Sequence, residues 1–185
     1  DDNTGWLQFG EINRYADKAI ADGTIPPMVI IMPNADSSWY INSFDGKEKY
    51  EDFFITEFMS SVEKIYRIKA EKRYRGVAGL SMGGYGTLIY ALKYPDLFAA
   101  AAPLSAAVFT DDEIINKNEN NWKITFGQLY GYNLKGRERL NKAWYANSIL
   151  KLVETTPAAN LKKIRFYIDC GDDDFLIKGN CLLHL

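Results

Sequence analysis

The feature that most constrains the fold is a turn of small residues, Gly79-Leu80-Ser81-Met82-Gly83. The residues before it, from Arg75 to Leu80, are small or apolar and predict a buried strand. Those after it predict a helix from Met82 to Tyr94, which stops before Pro95. A strand that enters a helix through a G-x-S-x-G turn needs small residues two positions before and after the serine. The pattern therefore predicts a strand–turn–helix unit with Ser81 at its tip.

Such a turn suits a nucleophile, because its strained backbone lifts the serine hydroxyl above the edge of the sheet. The helix that follows directs free amides at the same place, so the Met82 amide is the natural first donor of an oxyanion hole. Gly84 and Gly86 are expected to let the helix pack closely on neighbouring strands. The alternative is a glycine-rich turn in which Ser81 only caps the helix.

The rest of the chain alternates apolar runs with helical patterns. This alternation predicts an α/β fold with a mostly parallel sheet flanked by helices. Further strands are predicted at residues 28–32, 98–104 and 164–169, and a helix at residues 51–66. The run at 28–32 is apolar throughout, which is typical of a strand buried on both faces.

One stretch breaks this rhythm. Residues 105–136 are polar and rich in Asn, and they contain Trp122 within a short apolar piece. Long irregular segments in compact domains are often functional lids, so this one is interpreted as a lid or insertion over the sheet's C-terminal edge. A helix over residues 137–153 is expected to return the chain to the sheet.

Composition excludes several classes of function. The formal net charge of −2 leaves no basic surface for nucleic acid, and no stretch approaches the roughly 20 apolar residues of a membrane span. A single histidine, His184, and two isolated cysteines lack the spacing of a metal site. We expect no cofactor and no metal.

No leader is visible at Asp1, so secretion or export to a periplasm is compatible only with a leader already removed.

The motif Gly79-Leu80-Ser81-Met82-Gly83 extends to Gly86 in a form that resembles the esterase D-like family of α/β-hydrolases. This family includes tributyrin, feruloyl and acetylxylan esterases, S-formylglutathione hydrolases and mycolyltransferases. Three more segments are similar to the family, at residues 32–40, 94–105 and 167–176. The resemblance implies an α/β-hydrolase fold and a Ser/His/Asp triad.

In that family the triad acid follows the strand-ending glycine by three residues, which implies Asp174 here. Its role would be to orient a histidine and to stabilise the imidazolium. Asp172 and Asp173 compete for this role in the same turn. The alternative is a solvated acidic turn that caps the next helix.

The histidine departs from the family pattern. Relatives carry it 20 or more residues after the acid, whereas His184 follows Asp174 by ten and lies in a predicted helix. The first strands of the family pattern are also missing. Residues 1–185 are thus expected to form a single α/β-hydrolase domain that is incomplete at both ends, with the catalytic histidine outside them.

The resemblance implies a serine carboxylic ester hydrolase that works through an acyl-enzyme. Its expected partner is a small or polysaccharide-linked ester, with acetyl or feruloyl groups favoured. Trp39, Tyr40 and Trp122 are pocket-wall candidates, and plain packing is the alternative for all three. Two other functions stay open, an acyltransferase of the same fold and a non-catalytic binding or scaffold protein. Oligomeric state does not follow from the sequence.

Overall fold

The computed structural model describes residues 3–184, which form two compact units divided after Ser37. The N-terminal unit contains two helices, α1 (Gly5–Gln8) and α2 (Ile12–Ala21). The larger unit begins at Ser38 and carries the sheet. The expectation of a single domain over 1–185 stays a prediction.

The strand predicted at residues 28–32 is wrong. The segment has no regular secondary structure and joins no sheet within the described residues, and Met28 and Val29 are each 49% exposed. An apolar run reports a tendency to be buried, whereas a strand also needs a partner edge for its backbone groups. The described part of the N-terminal unit contains no such edge.

The larger unit is built on a parallel sheet of three strands, β1 (Gly76–Leu80), β2 (Ala100–Leu104) and β3 (Arg165–Phe166), in that order. Leu80 pairs with Leu104, and a further bridge joins Leu104 to Asp169. The predicted parallel sheet is confirmed. The third strand is shorter than predicted, because its regular pairing ends at Phe166 and resumes only at the bridge.

Helices and helical turns surround the sheet. Their bounds are α3 (Tyr50–Asp52), a π-helical segment (Phe53–Phe58), α4 (Met59–Ile65), α5 (Met82–Lys93), α6 (Asp111–Ile115), α7 (Glu119–Thr125), α8 (Gly127–Tyr130), α9 (Lys142–Tyr145), α10 (Ile149–Thr155), α11 (Ala158–Leu161) and α12 (Ile177–Cys181), with 3-10 turns at Lys72–Tyr74, Gly136–Arg139 and Leu182–His184. Within residues 3–184, each helix is too short or too polar to cross a bilayer.

Helix α5 lies at the centre of the core. It is buried without interruption from Gly84 to Leu92, with Ile89 0% exposed. The Tyr90 ring stacks on Phe54 with centroids 4.4 Å apart, which packs the helical run of residues 50–65 against α5. Because α5 follows β1 directly, burial of this helix determines where the tip between them points.

The inserted region at 105–136 folds into α6, α7 and α8 and packs into the core. Ile114, Trp122, Phe126 and Leu129 are each at most 2% exposed. Arg139 is also buried, and it donates to the carbonyl oxygens of Leu134, Ile114, Ile115 and Lys117. These bonds join the region to the turn that follows it.

The single helix predicted over residues 137–153 is wrong, since the segment divides into a 3-10 turn, α9 and α10. The Asn141 side chain accepts from the Trp144 amide at 2.9 Å and so starts a new helix at Lys142. Ser148 is extended, with ψ 117°, and separates α9 from α10. Asn and Ser side chains compete with helical backbone bonds in this way.

A buried ion pair joins α3 to α5. Lys93 Nζ lies 2.9 and 3.1 Å from the two carboxylate oxygens of Glu51, and it also donates to Asn147 Oδ1 at 2.6 Å. The Tyr94 hydroxyl donates to Glu51 at 2.7 Å, and the Glu51 residue is 7% exposed. Such a pair holds its elements in register because neither charge can be left alone inside the protein.

We expect Glu51→Ala to lower the free energy of unfolding by about 3 kcal/mol, because it leaves the Lys93 charge without its carboxylate partner. Urea denaturation measures this loss. The control is Glu154→Ala, which breaks the exposed pair with Lys151 and should cost less than about 0.5 kcal/mol. Equal losses in the two variants would contradict the interpretation.

Candidate active site

Three loops leave the sheet at one edge. Leu80, Leu104 and Asp169 are aligned by backbone pairing, so Ser81, Ser105 and Cys170 follow them at the same level. Neighbouring strands lie about 4.8 Å apart, which places the turns after β1 and β3 roughly 10 Å apart across the sheet. The carboxyl edge of a parallel sheet is where α/β proteins collect functional side chains.

Ser81 lies at the tip between β1 and α5, in a strained conformation. Its φ of 57° and ψ of −113° lie outside the regions that side chains ordinarily allow, and the residue is exposed. The Ser81 amide donates to Leu104 O, and Ser81 O accepts from the amides of Tyr85 and Ala107, all at 3.0 Å. Three backbone bonds therefore hold Ser81 in this strained conformation at the surface.

The tip is as tight as the motif predicts. A Cβ placed on Gly79 would lie 2.1 Å from Gly83 O, so the backbone of α5 occupies the space that a side chain would need. Gly83 itself is less constrained, since its Cβ would meet only the Tyr40 hydroxyl at 3.5 Å. A residue without a side chain is thus needed at position 79 more than at position 83.

The two further glycines have different neighbours. A Cβ on Gly84 would lie 2.8 Å from Ala106 Cα and 3.0 Å from Leu104 O, which confirms close packing of α5 on the end of β2. The same expectation is wrong for Gly86. Its Cβ would enter the ring of Tyr40, at 2.4 Å from Cγ, because that ring fills the notch left by the glycine.

The Met82 amide begins α5 and has no intrahelical acceptor, because the first amides of any helix are free. It belongs to the same peptide group as Ser81 O, which accepts from Ala107 and Tyr85. The Met82 N–H direction is therefore set by those two bonds. A free amide of fixed direction beside an exposed hydroxyl can stabilise a developing oxyanion.

Asp174 lies in the turn between β3 and α12 and is half-buried. Its Oδ1 accepts from the Leu176 amide at 2.8 Å, and its backbone amide donates to Gly171 O at 3.2 Å. The Leu176 amide and the Ser105 hydroxyl hydrogen-bond this carboxyl and lower its pKa below the ordinary value. Asp174 is thus a fixed carboxylate at neutral pH. Asp172 and Asp173 are exposed.

Sequence reasoning missed Ser105. It follows β2 with φ 40°, and its amide donates to Asp169 O at 2.7 Å. Its hydroxyl interacts with both Asp174 and Cys170. The only signal in the sequence was its position after a predicted strand, which many structural serines share.

Trp39 and Tyr40 are both half-buried and both have positive φ, 53° and 61°. The Trp39 ring packs on Tyr85 and Phe126, with centroids 5.5 and 5.0 Å away. The Tyr40 ring packs on α5 at Gly86, and its hydroxyl comes near Gly83. Burial raises the pKa of Tyr40, so the hydroxyl stays protonated and able to donate.

Trp122 is 0% exposed, and its indole N–H donates to Gly131 O at 2.8 Å. The Arg139 guanidinium lies 4.7 Å from its ring centre. The ring has no surface left for a substrate, which favours the packing alternative for this residue.

The backbone of His184 ends a 3-10 turn after α12. Among the described residues, no three His, Cys, Asp or Glu side chains are grouped as metal ligands would be. A depression of about 350 Å³ lined by Glu71, Lys72, Arg73 and Ala99 lies where β1 and β2 begin, at the opposite edge from Ser81.

The chain is similar to known proteins over most of its length. The family model for esterases matches residues 1–181. An acetyl esterase of Caldicellulosiruptor saccharolyticus is 27% identical over 156 residues, which are 83% of this chain and 57% of the relative. The segments that match this chain make up only 16% to 57% of the length of the curated relatives.

Two solved structures cover all of this chain. A ferulic acid esterase superposes with a TM-score of 0.76 at 29% identity, over 67% of its own chain. FphF, a fluorophosphonate-binding serine hydrolase of Staphylococcus aureus, superposes with a TM-score of 0.74 at 30% identity, over 65% of its chain.

The two glycines of the tip give a matched pair of variants. We expect Gly79→Ala to lower the free energy of unfolding by about 3 kcal/mol, because its Cβ meets fixed backbone of α5. Gly83→Ala should change it by less than about 1 kcal/mol, since the space is open and alanine favours a helix. Urea denaturation of both variants measures the difference. The reverse order of stability would refute the packing described for the tip.

Proposed function

Because this chain belongs to the esterase family of α/β-hydrolases, we propose that the protein is a serine carboxylic ester hydrolase working through an acyl-enzyme. The observation that carries the proposal is Ser81, an exposed residue on a strained strand-to-helix tip beside a free helix-terminal amide. Such a tip costs about 1–3 kcal/mol of strain, which a purely structural turn would have no reason to retain.

In the proposed reaction, Ser81 Oγ attacks the acyl carbon while a histidine takes the hydroxyl proton. The carbonyl oxygen becomes an oxyanion, which accepts from the Met82 N–H. Collapse of the tetrahedral intermediate breaks the ester bond, and the histidine returns its proton to the leaving alcohol. Water then repeats the same steps on the acyl-enzyme and releases the acid.

Asp174 is proposed as the acid that orients the histidine. Its support is its place at the carboxyl edge of the sheet and a carboxylate that stays ionised because of its hydrogen bonds. We propose that the base is a histidine outside the 185 residues, since His184 follows Asp174 by only ten positions.

Acetyl and feruloyl esters are the proposed substrates. The support comes from relatives named as acetyl and ferulic acid esterases, and from two aromatic side chains beside the tip. Tyr40 would offer its hydroxyl near Gly83, two residues beyond the nucleophile, and Trp39 would form the wall behind it. The natural acceptor of the acyl group is proposed to be water.

We expect Ser81→Ala in the full-length protein to abolish hydrolysis of 4-nitrophenyl acetate and methyl ferulate, with kcat reduced about 10⁶-fold. Labelling by a fluorophosphonate should be lost as well, because both reactions need the Ser81 oxygen. Ser61→Ala, which changes an exposed serine on α4, is the control and should keep both. Hydrolysis and labelling that survive Ser81→Ala would refute the proposed nucleophile. Activity retained by His184→Gln would support a base outside these residues.

For the acid, we expect Asp174→Asn to lower kcat about 10⁴-fold, because the amide cannot hold the histidine in the required tautomer. Asp172→Asn and Asp173→Asn change exposed members of the same turn and serve as matched controls. Steady-state kinetics on one ester compares the three variants. A large loss in either control, with Asp174→Asn unaffected, would transfer the role to that residue.

A further inference from the structure

Asn180 is a buried polar residue on α12 that the reaction described above does not use. The residue is 2% exposed. Its Oδ1 accepts from the Ala106 amide at 3.2 Å, while Nδ2 donates to Ala106 O at 2.8 Å and to Leu176 O at 2.9 Å. The side-chain amide of Asn180 thus bonds both backbone groups of Ala106, as a neighbouring strand would. Its second N–H bonds the carbonyl of Leu176 at the start of α12.

The Ala106 side of this contact leads to the nucleophile. Ala106 packs directly on Gly84 of α5, and the next amide, Ala107 N, donates to Ser81 O at 3.0 Å. Ser81 O and the Met82 N–H belong to one planar peptide group. The position of residues 106 and 107 therefore sets the direction of the amide proposed to bind the oxyanion.

The Leu176 side leads to the acid. Leu176 O accepts from Asn180, and the Leu176 amide donates to Asp174 Oδ1 at 2.8 Å. The Ile177 amide also donates to the Asp174 carbonyl at 3.0 Å. The first turn of α12 is consequently hydrogen-bonded to the acid at one end and to Asn180 at the other.

Close backbone packing leaves this contact little freedom. A Cβ on Gly179 would lie 2.1 Å from Val108 O, so α12 approaches residues 106–108 as closely as its backbone permits. A side chain at 180 can then reach both groups of Ala106 only if it is short and carries a donor and an acceptor. Asparagine meets that requirement.

We propose that Asn180 is a positioning residue that couples the oxyanion amide at Met82 to the acid at Asp174. The proposal rests on the proposed function. It follows from the continuous chain of bonds that runs from Ser81 O through Ala107, Ala106, Asn180 and Leu176 to the Asp174 carboxylate. Loss of the side-chain amide would release both turns at once.

The test compares Asn180→Leu and Asn180→Asp with wild type in the full-length protein. Leucine has the same branched shape but removes all three bonds, and aspartate removes the donors. We expect kcat for 4-nitrophenyl acetate to fall about 10–100-fold, as displacements near 1 Å do at reacting groups, with KM within about twofold. Unchanged kcat in both variants would overturn the proposal.

Asn141 supplies a matched control. It also accepts one backbone amide, from Trp144, and donates to one carbonyl, Tyr130 O at 3.1 Å, but it touches neither turn. Asn141→Asp and Asn141→Leu should keep kcat when all variants are assayed well below their Tm. An equal fall in kcat in the Asn141 variants would mean that general destabilisation explains the effect.

Amide hydrogen exchange separates failure of this proposal from failure of the proposed function. In the Asn180 variants, exchange should accelerate in two peptides, one covering residues 81–86 and one covering 171–176, whether or not the protein hydrolyses esters. Acceleration confined to α12 would overturn the coupling. A wild-type protein without esterase activity would refute the function while these exchange rates still decide the role of Asn180.

Discussion

The structure depends on one close approach, that of the Gly83 carbonyl to Gly79. Because no side chain stands between them, α5 can begin at once after β1, and the direction change falls on Ser81 alone. The strain there, of about 1–3 kcal/mol, is small beside the burial of α5, whose apolar side chains contribute about 1.5–3 kcal/mol each. A helix buried from Gly84 to Leu92 cannot rotate to relieve one residue. The core thus holds Ser81 in a conformation it would not adopt alone.

The same edge repeats this arrangement at the next strand. Ser105 follows β2 with positive φ, as Ser81 follows β1. The Ser81 amide donates to Leu104 O at the end of β2, and the Ser105 amide donates to Asp169 O beyond β3. The bonds that position these turns are mostly backbone bonds or side-chain bonds to backbone, and the Ser105 hydroxyl adds a side-chain bond to the Asp174 carboxyl. Bonds at the ends of strands position these turns more precisely than long flexible side chains could, so a helix as short as α12 is enough to hold the turn at Asp174.

The sequence predicted the parts of the fold that rest on local pattern. β1, β2 and α5 followed from apolar runs, a proline stop and helical spacing, and the Ser81 tip followed from its glycines. The predictions from sequence failed where the structure of one segment depends on contacts with another segment. Residues 28–32 are apolar but lack a partner edge, residues 137–153 are interrupted because Asn141 caps a new helix, and Gly86 accommodates the Tyr40 ring instead of a strand. Asn180 had no signal at all, since its role depends on a carbonyl and an amide 74 residues away.

The aromatic residues at 39 and 40 have a packing role that constrains any part they play in recognition. Two consecutive bulky residues with positive φ are costly, and glycine at either position would remove the strain. The rings explain why glycine does not stand there, since Trp39 packs on Tyr85 and Phe126 and Tyr40 fills the notch at Gly86. Both rings are thus needed to hold α5. Because packing already occupies both rings, the contact with an ester that we propose for this pair is limited to the Tyr40 hydroxyl near Gly83 and the part of Trp39 left exposed.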